Sequence, residues 1–122
     1  MNCYWSTRFT HDGALHFLGT TQQYGSVVIR RNVDGGHTWS HLVSPETGAL
    51  FAGGYCHESP NYHCAPVPVT IHKGRIFKAY EVCCPCVWGT GFQACVISAP
   101  VNCDLLDAAN WAMSNKIAFD PA

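Results

Sequence analysis

The chain has 122 residues and a net charge of −1, with 48% hydrophobic but only 12% charged residues. Such a composition excludes an intrinsically disordered chain, which needs low hydrophobicity and high net charge. It carries no basic stripe to neutralise phosphates, so no nucleic-acid partner is expected, and no apolar run nears the ~20 residues of a membrane helix, so no membrane partner is expected either.

Met1-Asn2-Cys3-Tyr4-Trp5 does not read as a signal peptide. Helical periodicity is nearly absent, and short apolar runs punctuated by Gly, Pro, Asn and Asp predict an all-β fold. Strands are expected over residues 4–10 and 14–19, turned by His11-Asp12-Gly13, and over 26–32 and 37–43, turned by Asp34-Gly35-Gly36. Asp-Gly between such runs signals a hairpin, because the turn needs positive φ. A long loop, 44–64, contains Pro45, Gly48, Gly53, Gly54 and Pro60. The pattern then restarts with expected strands over 66–72, 75–82, 92–99 and 111–114, the first pair turned by Lys73-Gly74. Residues 104–110 suit one short helical turn with Asp104 as its N-cap.

The two halves repeat in letters. Asn32-Val33-Asp34 followed by Trp39 matches Asn102-Cys103-Asp104 followed by Trp111. Repeated four-strand units are the blades of a β-propeller. The expected architecture is therefore two four-stranded antiparallel blades, about 1–43 and 65–118, with 44–64 as the crossover.

Eight cysteines stand at positions 3, 56, 64, 83, 84, 86, 95 and 103. Buried free thiols are the expected state. The alternative is one or two disulfides drawn from Cys56, Cys64 or the 83–86 cluster. Cys83-Cys84-Pro85-Cys86 with Cys56, His57, His63 and Cys64 also suggests zinc, but the spacing of the pairs is uneven, so no metal and no cofactor are expected.

Residues 32–39, Asn-Val-Asp-Gly-Gly-His-Thr-Trp, resemble the Asp-box of the sialidase superfamily, Ser/Thr-x-Asp-x-Gly-x-Thr-Trp, with Asn at the first position. The wider text, from Gln23-Tyr24-Gly25 to Trp39, from Tyr62 to Val69, from His72 to Ile76 and from Ser98 to Trp111, is similar to bacterial BNR-repeat, exo-α-sialidase-like proteins. The resemblance implies a sialidase-like propeller, commonly of six blades, of which about two are present. It implies a structural role for Asp34, Gly36, Thr38 and Trp39, on the turn away from the catalytic face. It also implies a glycan ligand or substrate and, in a full-length relative, glycoside hydrolysis. Missing blades would leave apolar faces uncovered, which predicts self-association.

Blade connectivity places the loops 20–25, 44–64 and 83–91 at one end, where sialidase-like propellers build their sites and where long loops on a rigid scaffold carry binding. Gln22, Gln23, Tyr24, Glu46, His57, Glu58, Tyr62, His63 and Glu81 belong to that end. Glu81 is the candidate acid/base, against the alternative of an ordinary loop-edge glutamate. Tyr24 and Tyr62 are candidates to stack on a sugar or to act as a glutamate-activated nucleophile, against aromatic packing. His63, Gln23 and His57 are candidate substrate-binding groups. Of four arginines, Arg30, Arg31 and Arg75 run toward the wrong end, which leaves Arg8 as the candidate carboxylate ligand. No complete arginine triad is present, which favours a noncatalytic carbohydrate- or protein-binding piece as the second reading, and a purely structural fragment as the third.

Overall fold

In a computed structural model, residues 3–55, 58–84, 86–118 and 120 are described. They form an all-β fold of two antiparallel sheets. Among them, no helix is long and apolar enough to cross a membrane.

The first sheet runs β1 (Tyr4–His11), β2 (Ala14–Thr20), β3 (Val27–Asn32) and β4 (Ala49–Phe51), in that spatial order. Its first hairpin turns on Asp12 (φ 51°) and Gly13 (φ 73°). The left-handed pair suits the right-handed twist of the strands it joins. The equivalent turn of the second sheet uses Lys73 (φ 48°) and Gly74 (φ 76°).

The second sheet holds β5 (Tyr62–His63), β6 (Thr70–His72), β7 (Arg75–Cys83), β8 (Phe92–Pro100), β9 (Ala112–Met113) and β10 (Ile117–Ala118). Both β5 and β6 pair with β7, at opposite ends of it, and both β9 and β10 pair with β8. The six strands therefore make four ribbons, the outer two interrupted. Pro66 and Pro68 lie in the first interruption, where a residue without an N–H cannot extend a ladder. The strand expected over 66–72 shortens accordingly to Thr70–His72.

The largest departure concerns the fourth ribbon of the first sheet. No strand forms over 37–43. The Ser40 N–H donates to the Arg31 carbonyl (2.8 Å), and the Ser40 hydroxyl accepts the Arg31 N–H (2.9 Å), a bond that a backbone carbonyl would make in a regular ladder. A 3-10 turn at Pro45–Thr47 follows, and pairing resumes where Ile29 donates to the Gly48 carbonyl (2.9 Å). Gly48 has φ 117°, and a Cβ there would fall 2.2 Å from the Ile29 oxygen, so the rejoining point admits only glycine. The short turn expected within 104–110 forms at Ala108–Asn110, capped by Asp107, whose carboxylate accepts the Ala109 N–H, rather than by Asp104.

Strand alternation aims His16, Leu18, Val27 and Ile29 of the first sheet at Ile76, Tyr80, Val82, Cys95 and Ile97 of the second, in one shared core closed by Leu105, Leu106 and Trp111. Like ribbons face like ribbons. Thr7 of β1 donates to the carbonyl of Val67, between β5 and β6 (2.6 Å); Tyr80 of β7 donates to Gly19 of β2 (2.9 Å); Arg31 of β3 pairs with Asp104, just beyond β8. Cys3, Cys64, Cys83, Cys84, Cys95 and Cys103 are reduced thiols, of which Cys64, Cys83 and Cys95 are buried, and Cys86 is disulfide-bonded.

Candidate functional site

The connections 21–26, 52–61 and 84–91 gather at one end of the two sheets. Gly25 and Tyr62 exchange backbone hydrogen bonds (3.0 and 2.8 Å), tying the first connection to the second. The Asn61 amide donates to the Cys83 carbonyl (3.0 Å) and Cys83 donates back to Asn61 (3.3 Å), tying the second to the end of β7.

These ties place β5 against β7 with His63 directly opposite Glu81. Directly paired residues point to the same face of a sheet, and the two side chains meet, His63 Nδ1 lying 2.8 Å from Glu81 Oε2. His63 is 6% exposed. Its ring lies parallel to that of Phe92 (centroids 5.2 Å, planes 4° apart), and Trp5 (5.7 Å), Tyr24 (5.8 Å) and Trp88 (5.4 Å) surround it. Glu81 is half-buried, while Trp88 is 62% exposed. The result is a carboxylate–imidazole pair set in an aromatic wall that opens to solvent.

Tyr24 belongs to this wall. Burial raises its phenol above the ordinary value, with the neighbouring Cys83 thiol adding to the shift and Glu81 contributing further. The ring therefore stays protonated at neutral pH and offers a hydrogen bond, not a phenolate. Gln23, exposed, hydrogen-bonds it. Tyr62 does not join the cluster. It is opposite Val82, points into the core and packs on Phe51 (6.3 Å), where burial raises its phenol also. Glu46 is exposed in the 3-10 turn beside β4. His57 lies outside the described residues. Arg8 is exposed on β1 opposite Phe17, on the face of the first sheet turned away from the second sheet, whereas Glu81 sits on the far face of that second sheet. Both sheets separate the two.

The aromatic partners Phe92, Trp88 and Trp5 escape a reading by residue type: the register of β7 with β8 brings Phe92 to His63, while Trp88 comes from the connection between those strands and Trp5 from β1 of the first sheet. Phe92 is opposite Cys83, one step along the same face from the Glu81–Ala94 pair. The regular alternation of both strands is the signal that leads to it.

At the other end, Asp34 organises its turn. Its carboxylate accepts the N–H groups of His37 (3.0 Å) and Thr38 (2.9 Å) and the Thr38 hydroxyl (2.5 Å), and Thr38 chiefly holds its carboxyl below the usual range. Asn32 completes the clasp: its amide nitrogen donates to Asp34 and to the Thr38 carbonyl, and its oxygen accepts the Gly36 N–H (2.7 Å). Gly36 has φ 94°. Trp39 stacks on Phe17 (4.4 Å, 16°). The second copy is built differently. Asp104 accepts the Leu106 N–H (3.0 Å) and pairs with Arg31, while Trp111 is buried and donates to the Leu105 carbonyl (2.9 Å).

Among the described residues, no three His, Cys, Asp or Glu side chains are grouped to hold a metal ion. No protein-family model matches the chain, and neither the curated proteins nor the solved structures contain a match.

Proposed function

We propose that this chain is a two-blade portion of a sialidase-like, Asp-box propeller that binds a glycan at the Glu81–His63 end. The observation that carries the reading is the solvent-facing wall of Trp88 and Tyr24 beside a half-buried carboxylate. Aromatic faces stack on the C–H faces of sugars, and paired polar groups orient hydroxyls. The Asp34 clasp supports the family reading, since Asn32, at the one position that departs from the motif, bonds both Asp34 and the Gly36 N–H and closes the turn. The expected result in titration calorimetry is glycan binding that weakens about fivefold in Trp88→Ala, the loss of one stacking contact of about 1 kcal/mol. Equal affinity of the two proteins would overturn the assignment of this site.

Hydrolysis is the second reading, favoured by Tyr24 and Glu81 sharing the site. In it Glu81 is the acid/base and Tyr24 assists. The protonated Tyr24 phenol and the distance of Arg8 favour binding over turnover. Release of a fluorogenic sugar by the wild-type chain, lost in Glu81→Gln, would select hydrolysis.

Self-association belongs to the same proposal. From the hairpin turns onward, Ala14, His16, Leu18 and Thr20 of β2 correspond in register to Arg75, Phe77, Ala79 and Glu81 of β7. The first set is covered by the second sheet. Of the second set, Ala79 and Glu81 line an open groove of about 480 Å³ that Ala94, Val96 and Ile117 also wall. A second copy offers the matching partner, the face bearing Arg8 and Phe17, with charge opposite to Glu81. Sedimentation is expected to show an oligomer that Val96→Lys converts to monomer. A wild-type monomer at high concentration would refute the docking.

A further inference from the structure

The imidazole of His63 has one polar atom committed and one idle. Nδ1 meets the Glu81 carboxylate at 2.8 Å. A carboxylate only accepts, so the Nδ1 position carries the proton, and in the neutral ring Nε2 is then a bare lone pair. That Nε2 is buried without a hydrogen-bond partner, inside the ring of Trp5, Tyr24, Trp88 and Phe92. Buried polar atoms are nearly always satisfied, and an exception calls for an explanation.

The charge around the site narrows what could satisfy it. None of the four arginines is placed at the Glu81–His63 pair. Arg8 is on the far face of the other sheet, Arg30 donates to the Ser40 carbonyl (3.0 Å), Arg31 pairs with Asp104, and Arg75 donates to the Ser98 hydroxyl (3.0 Å). Arg75 shares the face of Glu81 but stands six residues back along β7, about 20 Å at the rise of a strand. Lys78 points inward, its ammonium on the carbonyls of Ala65 (2.8 Å) and Ala79 (3.2 Å). A ligand carboxylate would meet the negative Glu81 with no guanidinium fork to hold it.

We propose that the ligand of this site is a neutral, hydroxyl-bearing sugar rather than an acidic one, and that His63 Nε2 accepts one of its O–H groups while Glu81 holds the ring. The inference rests on the glycan reading above and goes further, to the sugar class. Nε2 has no exposed surface, so the hydroxyl reaches it when the Trp88 ring swings aside. Trp88 lies outside any ladder, in the connection between β7 and β8, with most of its surface in solvent.

The first test is nitrogen-15 NMR of the wild-type chain at neutral pH. The expected spectrum shows the Nδ1-protonated tautomer of His63, and an Nε2-protonated ring would overturn the proposal. The second is titration calorimetry with a neutral oligosaccharide and its sialylated counterpart on the same core. The neutral form is expected to bind at least tenfold tighter, and His63→Phe, which keeps the stack on Phe92, to weaken it about tenfold. Equal or tighter binding of the sialylated form overturns the sugar class and leaves glycan binding standing. Binding of neither overturns both.

Discussion

Tyr80→Ala is expected to lower the stability of the chain by about 3–5 kcal/mol, the range for removing a large buried aromatic ring. Tyr80 is 1% exposed in the middle of β7, and its ring belongs to the core between the sheets. Three separate losses coincide there. The cavity is lined by groups from both sheets, which cannot close over it without moving one sheet toward the other. The phenol also donates to the Gly19 carbonyl (2.9 Å), a direct link between the second ribbons of the two sheets. The Lys78 ammonium lies 5.0 Å from the ring centre and would lose the aromatic face beneath it. Tyr80→Phe separates the terms: it keeps the ring and removes only the hydroxyl, at about 1–3 kcal/mol for a carbonyl left unpaired. Urea unfolding of both variants measures the difference. A Tyr80→Ala midpoint equal to that of wild type would show that the sheets do not share this core.

Acid is expected to weaken the fold between pH 6.5 and 4, with His16 responsible for a defined part. His16 is 1% exposed, stacks on Phe9 (5.1 Å, 11°) and accepts the Arg31 Nε–H at Nε2 (3.3 Å). Burial, with Arg31 and His11 adding like charge, lowers its pKa from 6.5 to about 4, against smaller opposing pulls from the Ala14 backbone and then Asp104. Between those two values the unfolded chain takes up a proton that the folded chain refuses, so the contribution is complete above pH 6.5 and is lost as pH falls to 4. The size is about 2 kcal/mol after allowance for solvent screening. Urea midpoints at pH 7 and 4.5 test this against His16→Gln, which retains an acceptor for Arg31 but cannot titrate. The wild type should lose more stability on acidification than the variant. An equal loss in both would assign the acid sensitivity to other groups. Asp34 and Asp104, both held below the ordinary carboxylate range, act at lower pH.

Much of this architecture is legible in the residues because the hairpins announce themselves. Asp12-Gly13 and Lys73-Gly74 supply the left-handed pairs, and strands form on either side of them, the one before Lys73 shortened to Thr70–His72. The fourth ribbon of the first sheet is not legible, because residues 37–43 alternate like a strand but Ser40 offers its hydroxyl to Arg31 before a ladder can form. The site is half legible. Loop length locates the end of the sheets where Glu81, His63 and Tyr24 meet, and the residue types mark each as chemically capable. Their pairing depends on register, which composition does not carry: the position opposite Glu81 is His63, and the neighbouring position puts Tyr62 into the core. Trp88 and Phe92 read in isolation as ordinary apolar residues of a loop and a strand start.

The interrupted ribbons of the second sheet and the three-residue β4 have a consequence for misassembly. A border strand with unpaired N–H and C=O groups is a template on which foreign chains polymerise, and short or broken borders suppress such growth. Three of the four borders in the described residues are of this suppressed kind, leaving β1 as the long one. Even there the register shifts between Tyr4 and Thr7, with Trp5 at φ 50°, so an invading strand finds a regular template only from Thr7 to His11. Fibrillar growth, where it starts, starts on that five-residue stretch.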